Sequence, residues 1–271
     1  MELIVMSLNL RYDKPDPGTA AWSVRREAVT ALVSYYAPDL MGSQEGQAHQ
    51  LLDLHRHLKD YQSLGGDRLG NGRGEACAIF YRPQRLTCRE WGEFWLSETP
   101  EAPGSITPSW GNLLPRMVTW ACFSSTYLAA PLLVFNTHFD YGSATARDRS
   151  AQLLRARIAQ MVVSRAERWG MGPLVLVLGD FNAGPGDRAR RTLQGAIAPD
   201  LHLVDTVATL PPEDQLTFHD FSGVAFDAVD TIYCDRRLRL QWVTVDRQSW
   251  QGIWPSDHHP VVASVRAEGP V

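Results

Sequence analysis

Aliphatic runs that stop abruptly on a polar residue recur along the whole chain. The clearest is Leu174-Val175-Leu176-Val177-Leu178-Gly179-Asp180-Phe181-Asn182, followed by a Pro/Gly-rich loop. Five aliphatic residues in succession predict a strand buried on both faces, where a carboxylate is tolerated cheaply only at the end. The run Glu2–Asn9 has the same form, residues 39–45 end on Glu45, and residues 132–138 end on His138. Between them lie helical patterns. Val24, Ala28, Ala31, Leu32 and Tyr35 predict a helix over Trp22–Tyr36 that Pro38 stops. Leu51, Leu54 and Leu58 mark a second over residues 47–59, and Ala151, Leu154, Ile158, Met161 and Val162 a third over 147–169. Further strands are predicted at 77–81, 86–95 and 117–124, the last forming a hairpin with 132–138. Residues 228–234 read as a strand with Asp230 in its middle, residues 240–245 as its neighbour, and 260–265 as the final strand.

Composition narrows this little. At 271 residues, with 44% hydrophobic and 21% charged, the chain can bury a large core. No repeat, low-complexity tract or linker divides it, so one domain over residues 1–271 is expected. A net charge of −4 gives no overall positive field for nucleic acid or anionic lipid. Cys77, Cys88, Cys122 and Cys234 form no Cys-x-x-Cys pair, which argues against a zinc knuckle or a dithiol redox site. With no signal-like N-terminus and no membrane-length apolar stretch, a cytoplasmic location and no obligate protein partner are expected.

Candidate chemistry lies where the apolar runs end. Asn9, Glu45, His138, Asp180, Asn182, Asp257 and His258 terminate or flank strands, with Asp230 close by. Asp180 alone reads equally well as a turn cap; so many polar strand ends together predict one cleft. Asp180 and Asn182 project to one side if strand geometry persists. Carboxylates with amides and histidines, and no cysteine, suit a hard cation such as Mg²⁺ or Mn²⁺. Amides, imidazoles and Arg116 suit phosphate oxygens. A charge inside an aliphatic strand, as at Asp230, needs a partner. By contrast, His49, His55 and His57 lack metal-ligand spacing and read as solvated helix surface. The five-glycine loop over 64–75 lacks a nucleotide-binding signature and reads as a mobile hairpin or lid. Trp110 and Trp254, each in a loop beside Gly or Pro, are candidates for an aromatic wall over the phosphate.

Leu8-Asn9, Gln44-Glu45, Asn136-Thr137-His138, Gly179-Asp180-Phe181-Asn182, Val229-Asp230 and Ser256-Asp257-His258 resemble, in this order, the motifs of the endonuclease/exonuclease/phosphatase superfamily. Phe94-Trp95-Leu96-Ser97-Glu98-Thr99-Pro100 is similar to a stretch found in a bacterial branch of metal-dependent hydrolases. The resemblance implies an α/β (α+β) four-layer sandwich, two mainly antiparallel sheets face to face with helices outside, and Mg²⁺-dependent cleavage of a phosphoester. It implies Glu45 as the main metal ligand with Asn9 and Asp257 near the metal. Asp180 would orient or deprotonate the attacking water, Asn182 and His138 would hold the phosphate, and Asp230 would pair with His258. Both Asp180 and His258 remain open as the general base.

Two departures argue against abasic-site repair. Arg11 stands where that branch usually has a carboxylate, and His138 where it has a tyrosine. The expected activity is hydrolysis of a phosphodiester or phosphomonoester in a small molecule, lipid headgroup or sugar phosphate. A nuclease on DNA or RNA is the alternative, and a non-catalytic binding module a more distant one. Substrate choice resides in loops that the motifs do not describe.

Overall fold

The computed structural model describes residues 2–267, which form two mixed β-sheets and four α-helices in an α/β sandwich. In chain order these are β1 (Glu2–Asn9), α1 (Trp22–Tyr36), β2 (Leu40–Gly46), α2 (Ala48–His57), β3 (Gln62–Leu64), β4 (Ala76–Tyr81), β5 (Thr87–Trp95), β6 (Met117–Ser124) and β7 (Leu132–His138). There follow α3 (Ala144–Trp169), β8 (Leu174–Asp180), α4 (Arg188–Thr192), β9 (Gly195–Ala198), β10 (Leu201–Asp205), β11 (Asp230–Asp235), β12 (Leu238–Val245) and β13 (Val261–Ala267). One sheet runs β12-β13-β1-β2-β4-β3 and the other β5-β6-β7-β8-β11-β10-β9. No helix among the described residues is long and apolar enough to cross a membrane.

The alternation along each strand decides which layer its side chains enter. In β8, Leu174, Leu176 and Leu178 join Val5, Leu40, Ile79, Val134 and Ile232 between the sheets, while Val175 and Val177 face Leu154, Ile158 and Val162 of α3. The continuous aliphatic run thus reflects burial on both faces. On the far side, Met6, Leu8, Met41 and Phe80 pack against Trp22, Val29, Leu32 and Val33 of α1 and Leu54 of α2.

The two sheets are also tied by polar groups. Gln44 Nε2 donates to Asn136 Oδ1 at 2.7 Å, and Asn136 Nδ2 donates to the carbonyls of Ser43 and Ala78, both at 2.9 Å. All of this is buried, so each donor needs its acceptor. Gly42 is required beneath the clamp, because a Cβ there would meet Asn136 Oδ1 at 2.7 Å.

Two expectations are corrected. Asp230 opens β11 instead of lying mid-strand, because the amides of Val229 and Asp230 turn to Thr217 Oγ1, both at 3.2 Å, and ladder pairing starts only at Asp230 opposite Asp180. And β12 is not the neighbour of β11: it pairs with β13 in the other sheet, while β11 lies between β8 and β10. Sequence adjacency favours a hairpin, and here the hairpin that forms is β12-β13.

Candidate active site

The sandwich brings strand ends from both sheets to one rim. β7 and β8 run parallel, so His138 and Asp180 lie side by side where the two strands end. β11 runs antiparallel to β8 and sets Asp230 beside Asp180. The parallel pair β1-β2 places Asn9 next to Gln44 from the opposite sheet. A bulge between Ser43 and Gly46 breaks the β2-β4 register, and Glu45 within it takes a φ of 63°. Such a bulge re-aims a side chain that regular pleating would send elsewhere. In the Gly-Asp-Phe-Asn turn, the glycine lets β7 and β8 approach, since a Cβ on Gly179 would lie 2.5 Å from the Thr137 carbonyl oxygen. Phe181 anchors the turn by packing edge-on against Phe139 and Tyr233.

A chain of hydrogen bonds runs through the rim. Asn9 Nδ2 donates to Glu45 Oε1 at 3.1 Å and to Asp180 Oδ2 at 3.0 Å, while its oxygen accepts from the Arg11 amide at 2.8 Å. Glu45 Oε2 accepts from the Tyr12 amide at 3.0 Å. Asn9 therefore turns its nitrogen to the carboxylates and holds Glu45 and Asp180 together. Asp180 Oδ1 accepts from the Asn182 amide at 2.9 Å. Asp180 is thus both a turn cap and a member of the site. Strand geometry does not persist to Asn182, which has a φ of 46° and donates its side-chain amide to the Phe139 carbonyl at 3.0 Å.

On the other side of Asp180, His258 Nδ1 lies 2.8 Å from Asp230 Oδ2, and His258 Nε2 lies 3.9 Å from Asp180 Oδ2. Burial disfavours the imidazolium, but Asp230, together with Asp180 and Asp257, raises the His258 pKa well above its ordinary value. Burial and the nearby Asp230 charge push Asp180 up to about 7. His138 lies 3.5 Å from Asp180, but burial and the cations Arg116 and Arg68 hold its pKa well down, so that contact is not an ion pair. Asp257 Oδ2 faces Arg11 Nη1 at 3.3 Å, and burial raises its pKa.

These groups line a cleft of about 450 Å³. Of the residues expected from sequence, Glu45, Arg116, His138, Asp180, Asn182, Asp257 and His258 line it. Asn9 and Asp230 stand directly behind, bonded to the lining residues. Arg11, Tyr12, Arg68, Glu75, Leu114, Tyr141 and Phe218 complete the wall. Most of these sit in loops, without the polar-end-of-strand signal that marks the others. Phe218 packs on the His258 ring with centroids 4.9 Å apart.

The order and placement of these residues fit one family, and its model matches residues 6–258, under the description endonuclease/exonuclease/phosphatase family. The chain belongs to that family. No curated protein matches it in sequence comparison. Among solved structures, an endonuclease/exonuclease/phosphatase from Bacteroides vulgatus is 25% identical over 99% of this chain and 100% of that one, with a TM-score of 0.85. A mannosyl-6-phosphatase from Bacteroides thetaiotaomicron is 27% identical over 97% of this chain and 99% of its own, with a TM-score of 0.83. The catalytic domain of human nocturnin shares the fold at 16% identity, covering 97% of this chain and 93% of that one, with a TM-score of 0.73.

Within this family fold the tryptophan wall is not found. Trp110 is buried away from the cleft, and Trp254 packs edge-on against His219 and His259. The cleft's aromatic lining is Tyr12, Tyr141 and Phe218. The glycine loop is built around Asp67, whose carboxylate accepts from the amides of Leu69, Gly72 and Gly74 at 2.9, 2.6 and 2.8 Å. His49, beside Asp13, and His57 lie on the surface as expected for solvated helix, but His55 is half-buried, packed on Phe80 with its Nε2 2.8 Å from Ser63 Oγ.

Proposed function

We propose that this chain is a divalent-metal-dependent phosphoesterase that hydrolyses its substrate by in-line attack of water. The observation that carries this reading is a buried Asp180, tied through Asn9 to the Glu45 carboxylate and flanked by a His258 that Asp230 holds at 2.8 Å. A carboxylate base beside a cationic donor is what water attack on a phosphoester needs.

The donor set fits a hard cation. One ligand atom from each of Glu45, His138 and Asp180 lies within 4.8 Å of the others. Carboxylates crowded this closely repel one another, and a cation relieves the repulsion. Glu45, Asp257 and Asp180 offer oxygens suited to Mg²⁺ or Mn²⁺, with Asn9 fixing two of them. When bound, such an ion neutralises phosphoryl charge and lowers the pKa of water.

The protein's own groups supply the rest. Asp180 accepts the proton of the attacking water, and that proton leaves with the departing alcohol. His258, kept cationic by Asp230, donates to a phosphoryl oxygen as charge develops. His138, Asn182 and Arg116 flank the phosphate and orient it. The phosphatase relative from Bacteroides thetaiotaomicron supports phosphoester hydrolysis as the reaction class. The test is a panel of phosphoesters with Mg²⁺ or Mn²⁺, from model esters through sugar and inositol phosphates to single-stranded RNA and DNA. Turnover that stops with chelator is expected; turnover in excess chelator, or none on any ester, would overturn the reading.

A further inference from the structure

Next to the cleft, and sharing Glu45, Arg68, Glu75, Arg116 and His138 with it, lies a recess of about 10 Å³ that Ala76, Cys77 and Met117 also line. Two guanidinium groups meet there. Arg116 is 3% exposed, and its Nε is buried without a hydrogen-bond partner; the nearest carboxylate oxygen, Asp140 Oδ2, is 3.7 Å away. Arg68 pairs through Nη2 with Glu75 Oε1 at 2.7 Å, and its Nε is also buried without a partner. Buried donors in folded proteins almost always find an acceptor, and leaving one unmet is costly for a charged group. Both guanidinium groups line the recess beside the reacting groups, and they suit a ligand that only accepts.

The backbone around Arg68 is fixed. Its amide donates to the Glu75 carbonyl at 2.9 Å, its carbonyl accepts from Trp95 Nε1 at 2.7 Å, and the neighbouring Asp67 staples the glycine loop. Glu75 and Asp140 offset the two cations without occupying either Nε. The recess thus sets two guanidinium groups beside Glu45 and His138.

We propose that Arg68 and Arg116 form a phosphoryl-oxygen subsite that selects a terminal phosphate, so that the chain cleaves phosphomonoesters in preference to diesters. This rests on the phosphoesterase reading above. A monoester carries three non-bridging oxygens, and the site offers three sets of partners: the carboxylate cluster for a cation, His258 with His138, and the two arginines. A diester has one fewer such oxygen, and a recess of this size cannot take its second substituent. In the reaction a water oxygen–phosphorus bond forms and the ester oxygen–phosphorus bond breaks, giving inorganic phosphate and the alcohol.

The test is calorimetric titration of inorganic phosphate and of dimethyl phosphate into the full chain with Mg²⁺, comparing wild type, Arg68→Gln and Arg68→Lys. Arg68→Gln is expected to weaken phosphate binding about tenfold or more, Arg68→Lys to recover part of the loss, and dimethyl phosphate to bind wild type about tenfold more weakly than phosphate. Phosphate affinity within about twofold of wild type in Arg68→Gln, or equal binding of the two anions, would overturn the proposal. Rates on p-nitrophenyl phosphate and bis(p-nitrophenyl) phosphate separate it from the broader reading. A monoester preference in kcat/KM that Arg68→Gln narrows supports both. Arg68-dependent phosphate binding without turnover of either ester supports the subsite and ends the phosphoesterase reading. Turnover indifferent to Arg68 ends the subsite alone. Arg68→Lys, which keeps the charge, guards against a folding defect in Arg68→Gln.

Discussion

His258 Nδ1 and Asp230 Oδ2 lie 2.8 Å apart, both buried, with the other Asp230 oxygen lacking a hydrogen-bond partner. The imidazole is therefore held in one orientation and kept cationic, although burial alone would discharge it.

Asp230→Asn keeps the shape and removes the charge. Because the raised His258 pKa depends on that charge, the substitution lowers it, and the protonated form is lost at lower pH. The expected result is a kcat about 100-fold or more below wild type and an alkaline limb of the pH–rate profile displaced to lower pH. Loss of stability with an unchanged profile would make Asp230 a purely structural residue.

Metal binding should release protons. In the absence of metal, burial and Asp230 hold Asp180 at about 7, so near neutrality a good part of it is protonated. A cation beside it favours the carboxylate, and about half a proton is displaced per site at pH 7. Calorimetric Mg²⁺ titrations in two buffers of different ionisation enthalpy measure this directly. Glu45→Ala should weaken binding in the same titration, and an unchanged isotherm would remove Glu45 as a ligand.

The aromatic residues divide between stability and substrate contact. Trp254 packs against His219 and His259 and outside the cleft, so Trp254→Ala should lower Tm, costing about 2 kcal/mol or more, and leave KM unchanged. Tyr141 is 68% exposed and lines the cleft, so Tyr141→Ala should raise KM with little change in Tm. The reverse pattern would restore the tryptophan wall.

Beneath the site, Arg190 Nη2 and Asp205 Oδ2 form a fully buried pair at 2.5 Å, and Arg190 Nε donates to Tyr233 in β11, the strand that begins with Asp230. Arg190→Ala strands the Asp205 charge in the interior. A loss of about 3–5 kcal/mol in denaturant unfolding is expected. A loss below about 1 kcal/mol would show that water reaches the pair.

The strands, the main helices and the polar residues at strand ends were legible in the chain because each is a local signal. An aliphatic run, a helical stripe or a carboxylate after Leu-Gly can be read without knowing what it packs against. Glu45, His138, Asp180, Asp257 and His258 could therefore be named from their positions, and their motif order pointed to the family. What lay beyond the sequence depended on pairings between distant segments. Nothing local assigns β12 to one sheet and β11 to the other, or shows that Gln44 and Asn136 clamp the sheets together. Nor could the aromatic loops reveal that Trp110 and Trp254 turn away from the cleft while Tyr141 and Phe218 face it. Arg68 was hidden most completely. It sits in a glycine loop whose sequence suggests mobility, and only the folded Asp67 turn and the facing Arg116 give its guanidinium a place in the site. Local periodicity determines the elements and their polar ends; the electrostatics of the cleft arise from groups far apart in the chain, and only packing brings them within reach.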